Sequence, residues 1–375
     1  MNIHPDGPPV ITAWSAISPF GYGHNAFTNG FATGASTVDA VDEERWQVTG
    51  ECAALVPDFD VRTLLGAKGT RSMNRVTGLA VVTAGQLLAQ VPGRGDEFAE
   101  GTGLVLGTTT GSPESMMGFT RASLVGERPD HVEPAAVPSC VMNCAAGQVA
   151  IWHQLKGPNA TVAAGRRTGL VGLNYARRLL ATGRARMVLC GAAEEYSTAR
   201  AKVERVAQDG TPGPALGEGC VMVLLEPAAN AIARGSAPLA SLLAVESATC
   251  VGGNRAQAVR DAVSRTLHRA GVSQGEVSVA AGTTAGDDER NALSDLFGDR
   301  ADTAAAHDLI GDTASVSALF QLATVLGAER NENGLAVITA LDDDGAISTA
   351  LLKLHPATTA QVTEAREPAL AGGVR

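Results

Sequence analysis

The strongest chemical signal in this chain is a five-residue turn, Gly165-Arg166-Arg167-Thr168-Gly169. A turn signal at Gly157-Pro158 and a short β-branched run, Ala160 to Ala164, lead into it. Behind it, Leu170, Val171, Leu173, Ala176, Leu179 and Leu180 are spaced to bury one face of a helix. Gly183 ends that helix, and Met187 to Cys190 reads as a second buried strand. Strand, sharp turn, helix and strand in that order hold one residue at a helix N-terminus. The unpaired N–H groups and the helix dipole there favour an anion, so a thiol enzyme would seat its thiolate at this point. This chain puts two permanent cations, Arg166 and Arg167, in that place.

Other groups able to do chemistry are few. The six cysteines are scattered in apolar company without a CxxC pair, which predicts reduced, buried thiols. Cys140 and Cys144 stand four apart, but His153 does not complete a ligand set, so no metal or other cofactor is expected. Either cysteine, with His153 or His307 as base, is the acyl acceptor in an alternative reading. Asp342-Asp343-Asp344 reads as a solvated turn.

Bulk properties narrow the class. Hydrophobic residues make up 45% of the 375 and charged ones 18%, so the chain is an ordered protein rather than a disordered one. Its 43 glycines and 4% aromatics suit a tightly packed α/β fold. A formal net charge of −10 argues against nucleic acid as a partner. The N-terminus lacks a basic segment followed by an apolar core, and no apolar run approaches a membrane span. A cytoplasmic protein that does not engage a membrane is expected.

The elements needed to position the turn can be read in order. Val10 to Pro19 is a first strand, Ala26 to Phe31 a helix, and the segment after Arg75 a long buried helix. Gly103 to Thr109 is a strand, and Leu216 to Pro227 closes a first half. A helix over Ala228 to Gly235 bridges to a second series of strands at Ser241 to Ser247, Val277 to Ala281, Gly334 to Leu341 and Ala346 to Leu354. Helices at Arg255 to Ala270, Glu289 to Phe297 and Ser315 to Leu326 alternate with them. Two βα-rich halves are expected, 1–227 and 228–355, with a disordered tail at 356–375.

The stretch from Leu155 to Ser197 resembles the active-site segment of the β-ketoacyl synthases, members of the thiolase superfamily. So does Val137-Pro138-Ser139-Cys140-Val141-Met142-Asn143-Cys144-Ala145-Ala146-Gly147. The resemblance implies a thiolase-like α/β fold, duplicated βα halves forming a layered αβαβα sandwich. It implies a nucleophilic cysteine where this chain has Arg166. The family's first histidine, in His-Gly-Thr-x-Thr, falls on Ala281 of Ala281-Gly282-Thr283-Thr284; the second, in Gly-His, on Asp312; and its lysine on His307. The glycine-rich gate falls on Asp342, Asp343 and Asp344. No catalytic position is intact, and an Arg166–Asp312 ion pair is expected to plug the old site.

Within this family the resemblance is greatest to the chain length factors of type II polyketide synthases, which pair with an active ketosynthase as a heterodimer and shape its tunnel. It implies that Cys140, Met142, Met116, Met117 and Phe119 line that tunnel and that Glu194-Glu195-Tyr196 faces the partner. Acyl carrier protein would then dock through the active partner. The alternatives are a ketosynthase-fold acyltransferase with its nucleophile moved to Cys140 or Cys144, and a homodimeric acyl-binding scaffold.

Overall fold

Two runs of strands with the same internal order meet in one sheet. The computed structural model describes residues 7–48, 50–207, 213–283, 286–302, 306–328 and 333–356. All but the first residue of the tail expected at 356–375 falls outside this set, as do Thr284 and Ala285. The first run comprises β1 (Val10–Ser18), β2 (Thr102–Gly107), β3 (Asn159–Val162), β4 (Met187–Glu194) and β5 (Gly219–Glu226). The second comprises β6 (Ala240–Thr249), β7 (Val277–Gly282), β8 (Ala301–Asp302), β9 (Gly334–Leu341) and β10 (Ala346–Leu354).

Across the sheet the order is β8-β7-β9-β10-β6-β1-β5-β4-β2-β3. In the first half β2 runs parallel to β3 and β4, while β5 is antiparallel to β4 and β1. In the second half β7 runs parallel to β8 and β9, while β10 is antiparallel to β9 and β6. Each half therefore places its own strands in the order 1-5-4-2-3 with the same directions. The duplication that the sequence only hints at is explicit in this topology. The halves join where β1 pairs with β6, at Val10↔Ser241 and Ile11↔Ala240.

Helices cover both faces, because strands such as β4 and β5 are buried along their whole length. The principal ones are α1 (Gly23–Ala32), α2 (Arg75–Ala89), α3 (Pro113–Val125), α4 (Cys144–His153) and α5 (Thr168–Ala181). Then come α6 (Thr198–Ala207), α7 (Arg255–Ala270), α8 (Asp287–Phe297) and α9 (Ser317–Gly327). Helices α5 and α9 form the middle layer, where Leu170, Leu173, Leu319 and Phe320 share one core with strands of both halves. Helices α2 and α4 back the first half, and α7 and α8 the second. The five layers are thus α, β, α, β, α.

The middle layer is tight because of one glycine. A Cβ on Gly169 of α5 would lie 2.5 Å from Leu319 Cγ of α9. Local sequence sets the helix starts: Asn74, Ser112 and Asn254 each cap with a side-chain oxygen, and Pro113 occupies the first turn of α3.

Several boundaries differ from those read in the sequence. β4 continues past Cys190 to Glu194, β3 is shorter than the β-branched run, and the closing strand splits at Glu218 into Leu216–Gly217 and β5. Small residues, Gly191-Ala192-Ala193, conceal the extension of β4 because they carry no strand signal of their own. Replacing Gly169 by valine should force α5 and α9 apart and lower stability by about 1–3 kcal/mol. A urea-unfolding midpoint equal to that of the native chain would contradict this close approach.

Candidate functional site

The two middle helices start at matching places in the two halves, and their N-terminal turns face each other. Gly165 (φ 55°) precedes Arg166 in the 3-10 turn Gly165–Arg167 that opens α5. Gly311 (φ 68°) precedes Asp312, just before the 3-10 turn Ala314–Val316 that opens α9. Both glycines occupy the left-handed region that favours this residue. Arg166 Nη1 donates to Asp312 Oδ1 at 2.6 Å, with both side chains largely buried. The pair expected from the sequence is formed.

Asp312 is held from several sides. Its Oδ1 also accepts from the Ala314 N–H at 2.8 Å, its N–H donates to the Ala215 carbonyl, and its carbonyl accepts from Gly217 N–H. Arg200 of α6, 4% exposed, donates to the carbonyls of Asp312, Gly217 and Glu195. This buried guanidinium staples the end of the first half to the Asp312 backbone of the second. Burial alone would raise the Asp312 carboxyl, but the Arg166 guanidinium outweighs it, with Arg200 adding, and the pKa falls below its ordinary value. Burial likewise pulls Arg166 down, and Asp312 more than offsets it.

The acidic run forms the β9–β10 turn above this pair. Arg255 donates to the carbonyls of Asp342 and Asp343, and Arg166 Nη2 lies 3.9 Å from Asp343 Oδ2. The Asp342 carboxylate sits where a side chain on residue 165 would begin: a Cβ there would lie 1.7 Å from Asp342 Oδ2. Burial raises the Asp342 carboxyl despite nearby Arg166. The turn is exposed at Asp343 and Asp344 and pressed onto the pair at half-buried Asp342, rather than free on all sides.

The β-ketoacyl synthase N-terminal domain family matches residues 8–231. The chain belongs to the β-ketoacyl synthase family. It is 29% identical over 258 residues to the 3-oxoacyl-[acyl-carrier-protein] synthase 2 of Vibrio harveyi, covering 62% of this chain and 61% of that one. It therefore spans about three fifths of the length of the curated relatives it matches. The solved ishigamide ketosynthase/chain length factor is similar over 93% of this chain and 99% of that chain, at 41% identity and a TM-score of 0.86. AntDE:AntF, a type II polyketide acyl-carrier protein in complex with its ketosynthase, shares the fold at 16% identity and a TM-score of 0.77 over 93% of this chain and 100% of that one.

Against the ketosynthase pattern, the remaining positions separate as follows. Ala281 ends up buried in the middle core, where a methyl group offers no proton. His307 lies half-buried on the short helix Ala306–Ile310, and its Nδ1 has no hydrogen-bond partner among the described residues. Cys140 Sγ donates to the Ser115 and Ala136 carbonyls, and burial raises the Cys144 thiol. His153 lies at the far end of α4 from Cys144, about 14 Å along the axis, with Nε2 against the Val81 carbonyl at 2.9 Å. The structure brings Arg166, Asp312, Asp342 and Asp343 together, and it does not bring His153 to Cys144. Among the described residues, no three His, Cys, Asp or Glu side chains are grouped as a metal site.

Met116, Met117 and Met142 are exposed, with Phe119 and Cys140 half-buried beside them on α3 and the turn Pro134–Cys140. One reading is corrected: Glu194 and Glu195 do not face outward. Glu194 accepts from Thr109 N–H, Thr109 Oγ1 and Ser315 Oγ, while Glu195 accepts from Ser112 Oγ and Val76 N–H. Lying on opposite faces of the strand end, the two carboxylates brace the 108–112 loop from both sides. Burial, with Glu194 and Glu218 nearby, pushes the Glu195 carboxyl up to about 7.

Removing one partner of the Arg166–Asp312 pair leaves a buried charge. Arg166→Ala should cost about 3 kcal/mol in urea unfolding, and the paired change Arg166→Met with Asp312→Leu should cost much less. Because folding depresses the Asp312 pKa below 3.8, the pair's contribution is present above that pH and lost below it. Glu195 works in the opposite sense. Its folded pKa is raised, so native stability should fall as pH rises from 4.5 to 7. Glu195→Gln should flatten that decline in melting temperature, and an unchanged slope would refute the assignment.

Proposed function

We propose that this chain is a non-condensing, ketosynthase-like subunit, a chain length factor that pairs with an active ketosynthase in type II polyketide biosynthesis and shapes its acyl tunnel. The observation that carries this reading is the buried Arg166–Asp312 salt bridge at the helix start where the family resemblance implies the nucleophile. A condensing subunit needs a thiolate to hold the acyl group and donors to hold the enolate of the decarboxylated extender. A guanidinium is a permanent cation and not a nucleophile, so it cannot take an acyl group as a thioester.

The likeness to the ishigamide ketosynthase/chain length factor over nearly the whole chain supports the pairing. So does the surface. β3 is the outermost strand of its half, and its free edge is flanked by α4 with Ile151 73% exposed. The turn before α4 and helix α3 add Val137, Val141, Met116, Met117 and Leu124, all exposed. Contiguous apolar surface beside an open strand edge suits a protein partner. Under this reading Met116, Met117 and Met142 become tunnel wall only when the partner closes over them, and thioether side chains suit a flexible apolar chain. Carrier protein reaches the complex through the active subunit. No single helix among the described residues is long and apolar enough to cross a membrane.

The isolated chain should release no CO₂ from malonyl carrier protein, and Arg166→Cys should not restore release, since Ala281 and Asp312 offer no enolate donors. In the complex, Met116→Trp or Met142→Trp should shift product profiles toward shorter chains, read by mass spectrometry. Condensation by the isolated chain would end this account.

A further inference from the structure

Helix α5 carries a cationic flank on which Arg167 and Arg178 have no anionic partner among the described residues. Gly169 faces α9, and at 3.6 residues per turn Arg167, Val171, Asn174 and Arg178 fall on the opposite side. α9 lies alongside α5 in the middle layer and packs against β1 and β5 of the first half. The flank turned away from it therefore looks toward the β2–β3 end of the sheet, beside the free edge of β3. The sequence of α5, TGLVGLNYARRLLA, contains no carboxylate. Arg167 is half-buried, its side chain has no hydrogen-bond or ion-pair partner among the described residues, and its Nε is shut off from water. Arg178 is exposed and unpaired among the same residues, and Arg177 reaches only the Asn174 side chain at 2.9 Å. Burial, then Arg269 and Arg178, lower the Arg177 pKa, opposed by Glu246, which itself pairs with Arg269 at 2.8 Å. All this occurs in a chain of net charge −10.

Two copies joined edge to edge at β3 would be related by a two-fold axis, with the strands antiparallel. The same axis would lay α5 against its copy, arginine flank to arginine flank, and half-buried like charges repel strongly. We infer that the α5 flank beside β3 selects an unlike partner: it accepts a ketosynthase protomer whose facing helix carries carboxylates and rejects a second copy of this chain. The inference rests on the pairing proposed above and adds its selectivity rule. Arg167 is the central contact, with Arg178 at the rim.

The test is sedimentation and native mass spectrometry of the full chain, alone and with a purified type II ketosynthase carrying an intact catalytic cysteine, at two salt concentrations. The native chain should be monomeric alone and pair with the ketosynthase. Arg167→Glu should weaken that complex roughly tenfold or more. Arg178→Glu, fully at the surface and so safe for folding, should weaken it less and reduce its salt dependence; melting temperatures report folding of both. If the native chain pairs and neither variant loses affinity, the selectivity rule is overturned while the proposed function stands. A stable homodimer of the native chain overturns the rule as well. A native chain that ignores the ketosynthase overturns both.

Discussion

One guanidinium–carboxylate contact ties the two halves of this protein at their shared centre. Arg166 stands at the N-terminus of α5, where the helix dipole disfavours a cation, and the surrounding core disfavours an unpaired charge. Its position is tenable because Asp312 arrives from the mirror turn at 2.6 Å. Asp312 in turn is fixed by the Ala314 N–H and by a backbone bridge to Leu216. The pair is therefore not an ornament on a rigid scaffold. It compensates for a charge that the fold would otherwise reject, and the geometry of both helix starts depends on it.

Around that contact, charge has been rebuilt rather than removed. Arg200 is buried with carbonyl oxygens as its partners, three of them on segments of both halves. Glu218 holds Arg75 with both oxygens while accepting from the Val56 and Tyr196 N–H groups. The Asp342 turn lies over Gly165, held by Arg255 from the second half. The two helix starts bordered this way are braced by fixed polar contacts from both halves.

Much of this was legible beforehand. Alternating strands and helices and their caps follow from local pattern, while the contact of Arg166 with Asp312 was expected from the positions that the ketosynthase resemblance implies and from their opposite charges. Other features left no local trace. Arg200 sits on α6, a helix whose polar sequence reads as surface, and its burial results from three carbonyls far apart in the chain. Glu194 and Glu195 looked like an exposed strand end because adjacent carboxylates usually are; their satisfaction comes from the loop at 108–112, invisible to neighbouring residues.

The matched turns at Gly165-Arg166 and Gly311-Asp312 also constrain how such a protein arises. An aspartate arriving first at residue 312 would find helix N–H groups ready for it, as Ala314 shows. An arginine arriving first at residue 166 would be stranded. The acidic change therefore opens the path to the basic one, and once both are present neither reverts without penalty. Two repeats facing each other thus act as a ratchet, each charge making the other costly to lose.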